Sequence, residues 1–128
     1  MLRRLLPVLA DLAAVILFAA IGRSAHAHGD SAVGVLSTAW PFLVGTVVGW
    51  VVAARTVTSA WRAELRLWPT GAIVWVCTWG LGMALRGLTG GGLAPSFLLV
   101  AALVLAAMLT AWRVIARLAL HPGVLHQD

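Results

Sequence analysis

The stretch that decides the fold is residues 31–54, SAVGVLSTAWPFLVGTVVGWVVAA, which contains no charged side chain. A helix needs about 20 mostly apolar residues to cross the hydrocarbon core of a bilayer. Residues 5–22 hold a single charge, and residues 67–85 and 87–112 hold none. Backbone in hydrocarbon must satisfy its own hydrogen bonds, which runs this long do as helices. The sequence therefore predicts four membrane-spanning helices.

The composition excludes several classes of protein. Of the 128 residues, 62% are hydrophobic and only 10% are charged, against about 45–50% and 25% in an ordinary soluble domain. The formal charge is +5, and every basic residue is an arginine next to an apolar stretch. We therefore expect one transmembrane domain over residues 1–128, in contact with the lipid bilayer and not with nucleic acid, and exclude a soluble enzyme or a disordered tail.

Prolines sharpen the expected boundaries, because proline is tolerated in the first turn of a helix, where its missing N–H would have no partner. Four of the five prolines precede apolar stretches in this way: Pro7, Pro41, Pro69 and Pro95. The predicted spans are residues 6–22, 38–54, 68–86 and 95–116. We expect an all-α fold, an integral membrane four-helix bundle.

The connection at residues 55–67 has a tryptophan-and-leucine face and an arginine face, which suits either a short interfacial helix or a structured loop.

Arginine counts predict the orientation, since cytoplasmic loops carry an excess of basic residues. With four spans, one side of the membrane holds seven arginines: Arg3, Arg4, Arg55, Arg62, Arg66, Arg113 and Arg117. The other side holds only Arg23 and Arg86. Both termini are therefore expected in the cytoplasm.

A cleaved signal peptide is the alternative for the first span. Residues 25–27, Ala-His-Ala, follow a basic start and an apolar stretch, as a cleavage site does. Asp11 inside the stretch and Arg23 just before the site argue against cleavage, and so does the length of the apolar stretch. We expect an uncut helix.

Several short motifs occur together along the chain. The first predicted helix and the residues just after it contain Asp11, Phe18, Gly22-Arg23 and His26. The later motifs are AWPFLVG at residues 39–45, LWPTG at 67–71, GMALR at 82–86 and Ser96-Phe97. On these motifs the chain resembles a family of small bacterial membrane proteins known as domain of unknown function thirty fifty-four. The resemblance implies a multi-pass protein of the bacterial inner (cell) membrane and brings no established activity.

Asp11 is the one carboxylate within an apolar stretch. Such a group needs a partner or water, because a charge at the centre of a spanning helix costs about 2.5–3.5 kcal/mol on insertion scales. Arg55 and Arg113 lie near the same helix ends and are the expected partners. The three residues form either a structural ion pair or a proton or cation site.

A second candidate lies on the opposite side, where Arg23 and Arg86 leave helix ends beside glycines. Arginine there gains from the helix dipole and from lipid phosphates. Alternatively, Arg23, Arg86 and His26 converge as an outer-face anion site. The nearby His-x-His with Asp30 is interpreted as a solvated loop, so no metal site and no cofactor are expected.

Small residues predict where helices approach each other closely. Gly45 and Gly49 have the GxxxG spacing, and Gly71 and Gly82 lie on one stripe of the third helix. The deeper tryptophans, Trp50, Trp75 and Trp79, should point into the bundle, where their indole N–H groups find acceptors.

No catalytic motif is present, and we expect no enzyme. All four histidines lie outside the apolar stretches, which argues against a haem held by two histidines. Two functions remain: a small ion or small-solute transport or channel component, favoured by Asp11, and a non-catalytic accessory or scaffold subunit that packs through Gly45 and Gly49. Either function predicts a homo-oligomer or a complex with another membrane protein.

Overall fold

The computed structural model describes residues 2–25, 32–57, 66–90 and 93–120. Its four long helices are α1 (Leu2–Ala25), α2 (Ala32–Thr56), α3 (Ala72–Leu88) and α4 (Pro95–Leu120). An irregular turn, Leu67–Gly71, leads into α3; Trp68 is extended within it (φ −128°, ψ 131°), and the Gly71 N–H donates to the Arg66 carbonyl at 2.9 Å. Four stretches are long and apolar enough to cross a membrane. Three lie in α1, α2 and α4, and the fourth runs from the turn at Leu67 to the end of α3 at Leu88. The predicted all-α membrane bundle is confirmed.

Helices α1, α2 and α4 are longer than predicted, whereas α3 begins later than predicted, at Ala72. Pro95 is the first residue of α4, but Pro7 lies inside α1, which begins at Leu2, and Pro41 lies inside α2, which begins at Ala32. The prediction that Pro7 and Pro41 mark helix starts is therefore wrong. Proline is tolerated in spanning helices because neighbouring helices and local side chains compensate the lost backbone hydrogen bond.

The helices form a ring in chain order. Helices α1 and α3 each pack against α2 and α4, and in the described residues α1 and α3 do not pack against each other. The core between them is apolar, with Phe18 of α1 meeting Phe42 of α2 edge to face at a centroid distance of 5.5 Å. Aromatic pairs prefer this geometry because the positive ring edge meets a negative face.

Helices α2 and α3 make the closest approach in the bundle. A Cβ atom added at Gly45 would lie 2.5 Å from the Cys77 carbonyl oxygen, and one at Gly49 would lie 3.0 Å from the Val74 Cα. Gly82 of α3 leaves the space that the Phe42 ring fills. The three glycines thus lie within one α2–α3 interface of the same chain.

Helix α4 is held to α3 by two indole groups. Trp75 Nε1 donates to the Ala102 carbonyl at 2.9 Å, and Trp79 Nε1 donates to the Leu98 carbonyl at 3.0 Å. The acceptors are one helical turn apart, as are the donors. Both tryptophans therefore point into the bundle, as predicted.

The turn between α3 and α4 depends on a glycine. Gly90 has a φ of +81°, a backbone conformation that glycine adopts without steric cost. The next two glycines of that turn, the loop with His26 and residues 58–65 of the proposed interfacial helix lie outside the described residues.

Candidate functional site

The centre of the site is an ion pair between α1 and α4. Arg113 donates from Nη1 to Asp11 Oδ1 at 2.9 Å and from Nη2 to Oδ2 at 2.7 Å. Both side chains are completely buried, with 0% exposure. The two parallel hydrogen bonds match the planar fork of a guanidinium to a carboxylate. Sequence reasoning placed Asp11 with Arg113 or Arg55, and the structure brings Arg113 to it.

Two tryptophans complete the surroundings of the carboxylate. Trp50 Nε1 of α2 donates to Oδ2 at 2.8 Å, and Trp112 Nε1 of α4 donates to Oδ1 at 2.6 Å. The Arg113 Cζ lies 4.7 Å from the centroid of the Trp112 ring and 5.9 Å from that of Trp50. Negative ring faces attract a guanidinium at these distances. Each indole thus serves both charges of the pair, by its N–H and by its ring.

The backbone fixes the position of the guanidinium independently of Asp11. Arg113 Nη1 also donates to the carbonyl of Leu109, one turn earlier on α4, at 3.1 Å. On the other side, a Cβ at Gly71, the residue before α3, would lie 3.6 Å from Arg113 Nε. Gly71, predicted as a packing residue, therefore lies in van der Waals range of the arginine stem.

Arg55 takes no part in the four hydrogen bonds to the carboxylate. It is exposed in the last turn of α2. Arg55 lies one residue before the end of α2, whereas Arg113 lies seven before the end of α4 and Asp11 nine after the start of α1. Arg55 is therefore too close to the end of the bundle, and the face of α2 that points toward Asp11 carries Trp50.

A cleft of about 140 Å³ reaches Arg113 from between α3 and α4. Its α3 side includes Leu67, Gly71 and Trp75, and its α4 side includes Ala106, Thr110 and Arg113. The lining is thus largely apolar, with one hydroxyl. Trp50 and Trp112 lie against the ion pair, and the cleft ends at Arg113, which is itself 0% exposed.

The second predicted cluster, on the opposite side of the bundle, is only partly described. Arg86 Cζ lies 4.6 Å from the centroid of the Phe97 ring of α4. The Arg23 side chain and His26 lie outside the described residues. Helices α1 and α3, which carry the two arginines, occupy opposite corners of the ring. The outer-face anion site stays a prediction, and no potential metal-binding group of three His, Cys, Asp or Glu occurs among the described residues.

Sequence reasoning missed Trp50 and Trp112 as partners of Asp11. The signal was their depth: Asp11 comes nine residues after the start of α1, Trp50 six before the end of α2 and Trp112 eight before the end of α4. At 1.5 Å per residue, all three lie roughly 9–14 Å from the same end of the bundle. Indole N–H groups are among the few donors in these apolar helices, so matching depths would have identified them.

Trp112→Phe isolates the contribution of one indole hydrogen bond. Phenylalanine keeps an aromatic ring beside Arg113, removes the N–H donor to Asp11 Oδ1 and lacks the five-membered ring of the indole, a loss of volume that the control substitution below shares. We expect the free energy of unfolding in detergent to fall by about 0.6–1.7 kcal/mol, the range for hydrogen bonds between membrane helices. Trp40→Phe, at an exposed position of α2, is the matched control and should change stability less. Equal effects of the two substitutions would contradict the geometry.

Together, the four apolar helices and the buried pair define a small multi-pass membrane protein with a charged site enclosed by its helices. Residues 8–116 match the family described as "Protein of unknown function (DUF3054)". The chain belongs to this family, as the sequence motifs predicted. No curated protein and no solved structure matches it.

Proposed function

We propose that the protein is a small ion or small-solute transport component of the bacterial inner membrane, and that its working site is the Asp11–Arg113 pair. The observation that carries this proposal is a carboxylate and a guanidinium with 0% exposure, hydrogen-bonded within a membrane bundle and bordered by a cleft. Ionisable side chains within membrane spans are expensive, and they often mark ion or proton pathways.

The pair suits a site that changes partners. While Asp11 and Arg113 face each other, their charges cancel and the pair carries no net charge. Removing either partner leaves an uncompensated buried charge, a cost of about 3–5 kcal/mol. A solute of the same charge that takes the place of one partner compensates the charge of the other, and the displaced side chain must then be compensated separately. Binding of a charged solute is then coupled to separation of Asp11 from Arg113, because a buried charge must stay compensated.

Transport is tested with purified protein in liposomes. Efflux of a labelled cation, inorganic anion, monocarboxylate, amino acid and polyol is compared with efflux from empty liposomes. We expect faster efflux of at least one of these solutes, lost in Asp11→Asn and kept in Arg117→Gln, an exposed arginine one turn further along α4. Efflux no faster than from empty liposomes for every solute would overturn the proposal, as would full activity of Asp11→Asn.

The alternative function, an accessory or scaffold subunit, was expected to bind its partner through Gly45 and Gly49. Gly45 and Gly49 pack against α3 of the same chain, so this face of α2 is not open to another membrane protein. A partner must use a different surface, such as the apolar outer face of α4.

We further propose that both termini lie in the cytoplasm, on the basis of the seven-to-two arginine distribution. In a Cys77→Ser background, cysteine at Ser31 should react with a membrane-impermeant maleimide in whole cells. Cysteine at Ser59 should react only after the cells are opened. The reverse pattern would contradict the orientation, and a mature chain beginning at His28 would contradict the uncut first helix.

A further inference from the structure

Helix α4 is fixed to α3 over the half of its length that is nearer the connecting turn. The indole N–H groups of Trp75 and Trp79 donate to carbonyls of α4, and the Arg86 guanidinium lies over the ring of Phe97. The last α4 residue in this set of contacts is Ala102, which accepts from Trp75. These contacts lie toward the end of the bundle opposite the ion pair.

Beyond Ala102 the two helices stand apart. The cleft of about 140 Å³ separates the start of α3 from residues 106–113 of α4. These α4 residues span about 10 Å along the helix axis, which makes the gap roughly 4 Å wide. Over this stretch α4 is tied to α1 instead, by the buried Arg113–Asp11 pair. Helix α4 is therefore held to α3 toward one end and to α1 toward the other.

The other three helices form the fixed part of the bundle. The backbones of α2 and α3 come so close that a Cβ at Gly45 would overlap the Cys77 carbonyl, and a buried hydrogen bond joins Thr46 to Thr78. Helix α1 packs against α2 in the apolar core. Helix α4 contains no glycine, the residue that lets helix backbones approach most closely. We therefore expect α4 to be the helix that moves.

We propose that α4 pivots about the Trp75 and Trp79 hydrogen bonds, and that separation of Arg113 from Asp11 lets its far end swing away from α1 and into the cleft beside α3. The proposal rests on the proposed transport function for its role, since it names the movement that opens the working site. The movement itself requires no solute and is measured without one.

The swing exchanges one gap for another. When the end of α4 fills the cleft, it gains contacts with α3 and gives up contacts with α1. Packed helices favour two such discrete arrangements over a continuous deformation. In the first arrangement the Asp11 carboxylate is 0% exposed. In the second, Trp112 and Arg113 leave with α4, and Trp50 stays beside the carboxylate. The new gap therefore leads to Asp11.

The test measures distances between two spin labels by pulsed electron paramagnetic resonance, with the protein in nanodiscs. In a Cys77→Ser background, Arg66→Cys and Ile115→Cys carry the cleft pair of labels. Leu81→Cys and Leu99→Cys carry the pivot pair. All four labelled positions are exposed, on α4, on α3 or just before its leading turn. Both pairs report the distance between α3 and α4, at different ends of the bundle.

Asp11→Asn combined with Arg113→Gln removes the tie to α1 and leaves neither charge of the pair buried. We expect the distance of the cleft pair to shorten by roughly 2–4 Å, up to the width of the cleft, and the distance of the pivot pair to stay the same. Labels at Leu9 and Ile115, on α1 and α4, should move apart. Trp112→Phe keeps both charges and removes one hydrogen bond, so part of its cleft-pair distribution should shift to shorter distances.

Two matched substitutions test whether the cleft provides the space for the movement. Ala106 lines the cleft, so Ala106→Leu fills it and should prevent the shortening in the doubly substituted protein. Ala107→Leu, at the adjacent exposed position of α4, adds the same atoms outside the cleft and should leave the shortening unchanged.

A cleft-pair distance that is the same with and without the ion pair would overturn the proposal. Equal changes of the cleft and pivot pairs, or equal effects of the two leucine substitutions, would overturn it as well. The transport proposal fails separately. Efflux that depends on Asp11, together with unchanged distances, would leave transport standing and reject the pivot. Movement of α4 without efflux of any solute would support the pivot and reject transport.

Discussion

Asp11→Asn is expected to lower the free energy of unfolding by about 3–5 kcal/mol, because it leaves the buried guanidinium of Arg113 without a counter-charge. The position of Asp11 near one end of the apolar stretch alone predicts a smaller loss, since an exposed ion pair contributes about 0–1 kcal/mol. The larger value follows from the 0% exposure of both side chains. Thermal unfolding in detergent, followed by tryptophan fluorescence, measures the change.

A double-mutant cycle separates the pair from the rest of the site. Arg113→Gln should destabilise the protein by a similar amount, because the carboxylate then lacks its positive partner. Asp11→Asn combined with Arg113→Gln should lose clearly less than the sum of the two single changes, since no buried charge remains. Strict additivity would contradict a direct pair, and so would an Asp11→Asn protein as stable as the wild type. Arg117→Gln is the control for loss of an arginine from α4.

Gly45→Leu is expected to disrupt the α2–α3 interface and to lower the free energy of unfolding substantially. Even the first added carbon would lie 2.5 Å from the Cys77 carbonyl oxygen and 2.9 Å from the Thr78 Cα. These atoms belong to the backbone, so the helices must separate. We expect a loss of about 3 kcal/mol, the upper end of the usual range for overpacking. The same unfolding measurement tests it.

Separation of α2 and α3 also breaks a polar contact. Thr46 Oγ1 and Thr78 Oγ1 form a buried hydrogen bond of 2.8 Å next to Gly45, and this bond is lost when the backbones move apart.

Gly80→Ala is the matched control for Gly45→Leu. Gly80 lies in α3, and a Cβ there would meet nothing within 4 Å. Because alanine favours helix over glycine by about 1 kcal/mol, we expect Gly80→Ala to leave stability unchanged or to raise it. If Gly45→Leu were tolerated as well as Gly80→Ala, the close approach of α2 and α3 would be contradicted.

The site combines a closed side and an open side. The indoles of Trp50 and Trp112 donate to the carboxylate and lie against the guanidinium, so they stabilise the pair in its closed arrangement. The cleft between α3 and α4 borders Arg113 on the other side.

The sequence by itself determined the four helices and their membrane setting. The length and hydropathy of an uncharged stretch are local properties of the sequence. They identify a membrane span regardless of how the helices pack against each other. The same is true of the start of α4 at Pro95 and of the tryptophans that point inward. The sequence also identified Asp11 as needing a partner, because an isolated carboxylate in an apolar helix is unfavourable in any arrangement.

Only the tertiary structure decided which groups meet Asp11. Arg55 lies one residue from the end of α2 and Arg113 seven from the end of α4, and the contact with Asp11 also depends on which faces of α2 and α4 turn toward α1. Hydropathy does not fix that rotation, because it results from packing of the whole ring, including the close glycine contacts of α2 and α3. The position of Pro41 inside α2 has the same origin, since neighbouring helices stabilise a backbone that proline alone would interrupt. The cleft beside Arg113 exists only where α3 and α4 stand apart, which no single helix encodes.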